Sequence, residues 1–549
     1  MNFLKYVLIV ALFPLFSCSS EVVNPVNLNI RLSQVGYLQN DIKTFVIISK
    51  GPILSKSFKV VDAVTKETAF KGNINESLPA FDKFKYCYKA GFTELNKEGN
   101  YYIEVDGQRS YAFSIGNKVF NQVTDLLMRF FLVQRCGPTN PLMHGPCHLS
   151  DATSLSGWKT SKPVDVTGGW HDAGDYIKFF STTAYASYML LFAYEYDPIK
   201  FGFDNNHNNV PDILEEARVG IDWLLRCYFT KDNIINQVQD TRDHSVGWRL
   251  PENDSLQFSR PAFVGLGKNQ IGMFAAVMSL ASRIWAEKFY DYEFSKKMLT
   301  AAETLYPIYK TAPNVDKNVS GVYQDVVFWG KLALGAVELY NSTKNESYLK
   351  DAKVFADSAG SDYWWSWGNI NSLAHYKLAQ YELRYKDYIY NNLASFNTYK
   401  NNLLFSEGMP YTWGTTNSLL GVTLQAILYK KLTGSTEFDS LAVLQRDYIL
   451  GRNQWGISFI TGVGKKYPAN IHSQIAYFNN GKLPGALTAG PCSPDLLKKY
   501  AIKRTNFTYD NYNTENARYY DDKNDYLTNE PTIVGNATAV FVFGNYSSR

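Results

Sequence analysis

The chain has 549 residues, 45% hydrophobic and 19% charged, a balance that excludes a disordered polymer and asks for more than one ordinary core. The formal net charge is only +4 and no run of Lys and Arg is present to neutralise phosphates, so no nucleic-acid partner is expected. Aromatic residues reach 15%, with 39 Tyr, 34 Phe and 11 Trp; flat rings suit sugar faces, and they also fill cores.

Residues 1–18 read as an export signal. Lys5 is the positive flank, and Tyr6 to Phe16 is an apolar stretch too short to span a bilayer. Leu15-Phe16-Ser17-Cys18 closes it and resembles a bacterial lipobox, which implies cleavage before Cys18 and lipid on its sulfur. The expectation is an exported outer-membrane lipoprotein at the cell surface, held to the membrane through Cys18. Periplasmic location or plain secretion is the alternative. With lipid on Cys18, five of the six cysteines are left, an odd number that argues against a fully paired disulfide framework.

Residues 27–116 read as short strands. Phe45-Val46-Ile47-Ile48, Phe58-Lys59-Val60-Val61, Tyr101 to Val105 and Tyr111 to Ile115 are β-branched and aromatic, and Gly51-Pro52, Gly99-Asn100 and Asp106-Gly107 punctuate them. A small β-sandwich is expected. From 118 to 549 the texture turns helical. Ile271, Phe274, Ala275, Met278, Ala281 and Trp285 fall on one helical face, as do Trp329, Leu332, Ala333, Ala336, Leu339 and Tyr340, and then Leu420, Leu424, Leu428 and Leu432. About a dozen such segments fit, which predicts a large, mainly α domain with functional loops. Periodicity does not specify its topology.

Three constellations carry chemistry. Asp172 and Asp175 stand three apart in Gly168-Gly169-Trp170-His171-Asp172-Ala173-Gly174-Asp175. In a turn or a first helical turn that spacing puts both carboxylates on one side, where they can grip one water and take its proton. A plain capping or turn pair has the same spacing. Glu530, before Pro531, is held to extended backbone. A carboxylic acid there, with a raised pKa, would complete the pair that glycoside hydrolysis needs; an exposed loop glutamate is the plainer alternative. Cys136, Cys147, His148 and His171 form a tetrahedral zinc set, and a Cys136–Cys147 disulfide is its rival in an exported protein.

Separated segments in a fixed order then carry a resemblance. Ile30 to Tyr37, Gln134-Arg135-Cys136-Gly137, Cys147-His148, Gly168 to Asp175, Val210 to Ala217, Tyr448 to Asn453 and Asp525 to Glu530 resemble the glycoside hydrolase family 9 cellulases that have an N-terminal immunoglobulin-like domain. The resemblance implies an (α/α)6 barrel behind the small sandwich and an inverting mechanism on β-1,4-glucan. Cleavage of internal bonds, in cellulose-type, xyloglucan or mixed-linkage chains, is the leading expectation; exo-action on β-glucan, or a catalytically silent surface glycan-binding lipoprotein, is the alternative. It implies Asp175 as general base, Asp172 as its partner on the water, and Glu530 as general acid. It implies structural zinc at Cys136, Cys147, His148 and His171. His472, Gln474, Trp413 and Tyr526 are the expected sugar contacts. Calcium is a further expectation at the oxygen-rich loop Asp204-Asn205-Asn206-His207-Asn208, where a solvated turn is the alternative. Two departures stand out. Asn470-Ile471-His472-Ser473-Gln474 occupies the place where the family usually carries Asn-Pro-His-His-Arg, so a forked, charged donor is replaced by an amide. Pro531 stands where an aliphatic residue is common.

Overall fold

A computed structural model describes residues 28–75, 77–156, 164–316 and 325–548. The expected signal and Cys18 lie outside the described residues.

The strands β1 (Asn29–Arg31), β2 (Gly36–Tyr37), β3 (Thr44–Ser49), β4 (Ser57–Asp62), β5 (Thr68–Asn73), β6 (Tyr86–Gly91), β7 (Gly99–Val105), β8 (Gln108–Arg109) and β9 (Phe113–Ile115) form two sheets. One runs β1-β3-β6; the other runs β2-β9-β7-β4-β5, with β8 on β7. Their inner faces bury Phe45, Ile47, Phe58, Val60, Tyr101, Ile103 and Phe113, the alternate residues expected of packed sheets. Tyr111 was expected inside the last strand, but it is exposed and precedes β9. The sandwich docks on the helical part through polar ties. The Gln34 side-chain Oε1 accepts from the N–H groups of Lys465 and Lys466, at 2.9 and 2.8 Å, and Arg446 pairs with Asp41 at 2.8 Å.

The helical part contains α1 (Asn121–Gln134), α2 (Phe180–Tyr196), α3 (Asp212–Cys227), α4 (Lys268–Lys288), α5 (Tyr292–Leu305), α6 (Trp329–Thr343), α7 (Glu346–Ala359), α8 (Asn371–Leu378), α9 (Lys386–Lys400), α10 (Thr415–Thr433) and α11 (Asp439–Ile449). Three short helices follow, α12 (Gln474–Phe478), α13 (Pro494–Tyr500) and α14 (Tyr526–Asn529), and then α15 (Ile533–Tyr546). Contacts run in a closed cycle from α2 to α4, α6, α8, α10 and α15 and back to α2. Outside this ring α3 packs on α2, α5 on α4, α7 on α6, α9 on α8, α11 on α10 and α1 on α15. The ring helices α2, α10 and α15 are buried on nearly every side, as expected of helices apolar all round. A small sheet, ordered β10 (Ser154–Ser156), β13 (Pro261–Gly265), β12 (Ile234–Val238) and β11 (Lys178–Phe179), leads into α2. Among the described residues no helix is long and apolar enough to cross a membrane.

This ring explains where the chemistry gathers. Asp172 and Asp175 precede α2, Trp367 precedes α8, Trp413 precedes α10 and Glu530 precedes α15. The loops before four ring helices therefore supply one cleft.

Candidate active site and metal cluster

The loop carrying Asp172 and Asp175 is pinned from below. Gln134, at the end of α1, donates through its side chain to the carbonyls of His171 and Ala173, at 3.1 and 2.6 Å. The indole N–H of Trp170 donates to Glu216 at 2.7 Å, and Arg135 grips the same carboxylate. Gly169 has a φ of +73°, and a Cβ there would fall 2.7 Å from the Trp223 ring, so the turn requires glycine. The loop is a run of bends rather than a helix turn.

The Glu530 loop is pinned from above. Asp525 caps α14 by accepting from the N–H groups of Leu527 and Thr528. Glu530 is extended, with φ −89° and ψ 130°, as Pro531 demands, and its carbonyl accepts from Ala489 N–H at 2.9 Å. The two loops meet where the Gly174 N–H donates to Glu530 Oε1 at 3.1 Å.

Asp175 Oδ1 accepts from Ile177 N–H at 2.9 Å, and Oδ2 faces Nε2 of His244 at 3.0 Å. Asp172 is only 2% exposed, and its Oδ1 meets no hydrogen-bond donor among the described residues. Burial, reinforced by the Asp175 charge and opposed by a Thr182 hydroxyl, pushes Asp172 up to about 7. Glu530 is 5% exposed. Burial raises it well above the ordinary carboxylate range; the charges of Asp175 and Asp172 add to this and the Gly174 N–H opposes it. The shift is in the direction that favours a protonated carboxyl.

The cleft has two adjoining parts. One, of about 540 Å³, is lined by Asp175, Glu530, His244, Trp248, His472 and Gln474, with Trp413, Tyr500 and Tyr526 on its wall. The other, of about 280 Å³, is lined by Asp172, Trp364 and Trp367 and shares Trp413 and Tyr500. All four expected sugar contacts thus reach the first part. Gln474 does so with its amide already engaged by Arg249 and Asp243. The His472 ring packs edge-on against Trp248 and Tyr526. Its Nδ1 lies 2.6 Å from the Lys523 carbonyl, which leaves Nε2 toward Glu530 at 4.0 Å.

The metal candidates also converge. Cys136 and Cys147 Sγ, His148 Nδ1 and His171 Nε2 lie within 4.8 Å of one another, all buried. The two sulfurs are 4.0 Å apart and both cysteines are free, so the disulfide alternative does not hold. Burial pushes His171 down to about 4, which keeps its imidazole a neutral donor. His148 Nε2 faces Asp254 at 3.0 Å, the carboxylate–histidine arrangement that orients a metal-bound imidazole. The donor set, its burial and this outer carboxylate fit a four-coordinate ion. The oxygen-rich Asp204–Asn208 loop folds around its own carboxylates and amides. Asp204 accepts from the N–H groups of Asn208 and Asn209, at 3.2 and 2.8 Å, while Asn206 and Asn208 donate to Glu215.

Comparison with known proteins decides the family. The model of glycosyl hydrolase family 9 matches residues 120–543, and that of the cellulase N-terminal ig-like domain matches residues 26–110. The chain belongs to glycosyl hydrolase family 9. Endoglucanase D of Acetivibrio thermocellus is 26% identical over 81% of this chain and 74% of its own length. A xyloglucan-specific endo-beta-1,4-glucanase of Bacteroides ovatus is 25% identical over 98% of this chain and 97% of its own. The crystal structure of a metagenome-derived family 9 endoglucanase superposes with a TM-score of 0.81 at 26% identity, covering 95% of this chain and 99% of the other. This family 9 member is a glycoside hydrolase acting on β-glucan from within the chain.

Sequence reasoning missed several residues of this family 9 cleft. His244, Trp248, Arg249 and Asp243 come from the segment around the short 3-10 turn Thr241–Ser245, and Tyr500 comes from α13. The scarcity of histidine was the available signal. Of seven in the chain, His148 and His171 belong to the metal cluster, and His244 and His472 line the cleft.

Proposed function

We propose that this glycoside hydrolase inverts the anomeric centre, with Asp175 as general base, Asp172 as the second carboxylate near the attacking water, and Glu530 as general acid. The observation that carries the proposal is the pairing across the Gly174–Glu530 contact. A buried carboxyl with a raised pKa stands against a loop whose Asp175 is held by a backbone N–H and by His244. The Glu530 carboxyl gives its proton to the glycosidic oxygen as the bond opens. Asp175 takes a proton from water attacking the opposite face of the sugar, and Asp172, buried and close to half-protonated near neutral pH, shares that water. Ring closure by the helix cycle described above is read as an (α/α)6 barrel. Reducing ends released from soluble β-glucans by the native chain, and lost in Asp175→Ala and Glu530→Gln, are the expected result. Binding without release would favour a silent glycan-binding protein.

Zinc is the proposed ion for Cys136, Cys147, His148 and His171. When bound, it supplies a structural clamp with no open position, anchoring the loop through His171. The substrate proposal is β-1,4-glucan. The Bacteroides ovatus relative, named for xyloglucan, adds a branched glucan to the substrates worth offering. Export as an outer-membrane lipoprotein through Cys18 is proposed from the segment Lys5 to Cys18. Mass spectrometry of the mature N-terminus checks it, and an unmodified terminus would count against it.

A further inference from the structure

Beneath the cleft, a single guanidinium holds together three parts of the site that come from distant points in the chain. Arg249 Nε donates to Asp254 Oδ1 at 2.5 Å and one terminal nitrogen donates to Asp243 Oδ1 at 2.5 Å. The other donates to Gln474 Oε1 at 3.1 Å and to the Gly247 carbonyl at 3.2 Å. The Arg249 backbone N–H also donates to Gln474 Oε1, at 3.2 Å, and its carbonyl accepts from the Tyr176 hydroxyl at 2.5 Å. Its guanidinium lies 5.1 Å over the Tyr176 ring.

Each partner leads to a different part of the site. Asp254 faces His148 of the Cys/His cluster. Asp243 Oδ2 accepts from Tyr176 N–H at 3.1 Å, directly after Asp175, and residue 244 is the histidine that meets Asp175 Oδ2. Gln474 follows the His472 loop and lines the cleft. The two lone pairs of the Gln474 carbonyl are both taken by Arg249, and its amide nitrogen is 3.4 Å from Asp243 Oδ2.

We propose that Arg249 is a positioning residue that locks the Asp175 loop to the Cys/His cluster, and that Gln474 serves this lock rather than a sugar hydroxyl. A planar fork with five donors can satisfy two carboxylates and an amide at fixed angles; an ammonium delivers the charge without the geometry. Loss of the fork frees Asp243, and with it the Tyr176 N–H next to Asp175 and the segment whose His244 meets Asp175 Oδ2. A base displaced by about an ångström costs on the order of 100-fold in rate. Substrate binding through the aromatic walls is untouched by that displacement.

The inference rests on Asp175 being the base. Its test uses Arg249→Met, Arg249→Lys and Gln474→Leu in the full chain, with steady-state kinetics on a soluble β-glucan. A chromogenic chelator follows metal release from zinc-loaded protein. Arg249→Met is expected to lose about 100-fold in kcat with KM within about threefold, and to release zinc at least about tenfold faster. Arg249→Lys should recover part of kcat, as a charge without the fork allows. Gln474→Leu, which keeps the fold if Arg249→Met does not, should lower kcat with KM held. A raised KM at unchanged kcat in Gln474→Leu makes it a sugar contact and overturns the proposal. So does an Arg249→Met protein with wild-type kcat. Wild-type protein that releases no reducing ends from any β-glucan would instead refute the catalytic assignment on which the proposal rests.

Discussion

Oε1 of Glu530 sits 3.1 Å from the backbone nitrogen of Gly174, the residue before Asp175. A Cβ on residue 174 would fall 2.2 Å from the His472 carbonyl and 3.1 Å from Glu530 Oε1. The Glu530 and Asp175 loops therefore touch at the one residue type that leaves room for the contact. Gly174→Ala is expected to drive them apart and cut kcat by at least about 100-fold, while the protein still folds. Near-normal turnover, with folding checked by thermal melting, would contradict this.

With Glu530 as the proposed acid, its carboxyl is expected to set the alkaline side of activity. Its carboxyl must carry a proton to work, and burial with the charges of Asp175 and Asp172 raises its pKa. Activity is therefore expected to hold through mildly acidic pH and to fall as pH rises through the raised value. Glu530→Gln should abolish most turnover and flatten that limb. A wild-type profile that falls only in acid would remove Glu530 from the acid's role.

Asp172 gives a stability signature of opposite sense to an ordinary carboxylate. Its folded pKa is pushed up to about 7 from 3.8, chiefly by burial. The stability it contributes is full below about pH 4 and lost as pH rises through about 7. Asp172→Asn carries no charge, so it is expected to melt higher than wild type near pH 8, by an amount on the order of 2–4 kcal/mol, while turning over more slowly. Equal melting temperatures across that range would show that Asp172 is not held uncharged by the fold.

Glu338 behaves in the reverse way. Burial works to raise it, but the charges of Lys377 and Arg283 outweigh burial and hold it at about 2, against 4.5 when free. Its contribution is present above about pH 4.5 and lost as pH falls toward 2. Glu338→Gln leaves Lys377 and the part-buried Arg283 with Glu195 as their carboxylate, a cost of about 3 kcal/mol. Thermal melting near pH 7 should show a large loss that shrinks in acid; a constant difference would contradict the ion pairing.

The metal cluster predicts about one equivalent of zinc per chain by elemental analysis, as a closed four-ligand site binds one ion. Chelation should lower the melting temperature and slow turnover together, because His171 and Asp172 are adjacent. Zinc-free protein with full stability would overturn the assignment.

How far the sequence anticipated this site depends on how local each feature is. The run Gly168 to Asp175 is contiguous, with glycines and a tryptophan at positions only one backbone path satisfies, so its two carboxylates stood out. Glu530 had one local cue, Pro531, and its raised pKa comes first from burial by the assembled fold and then from the charges of Asp175 and Asp172, more than 350 positions away. Arg249 and His244 were not singled out, because the partners that give them a place in the site, Gln474 and Asp175, are distant in sequence and are brought to them by the fold. The helices α4, α6 and α10 were legible as periodic faces. Ring closure was not, because α10 is buried from Thr415 to Tyr429 and so has no single inward stripe to indicate its neighbours. Tyr111 misled through composition, since an aromatic in a β-rich stretch also suits an exposed turn.

The most direct test of the central claim is time-resolved proton NMR of the first products from a soluble β-1,4-glucan panel that includes xyloglucan. With Asp175 activating water opposite Glu530, internal cleavage should deliver the α-anomer first, followed by slow mutarotation. A β-anomer formed first would mean retention through a covalent intermediate and would contradict the account.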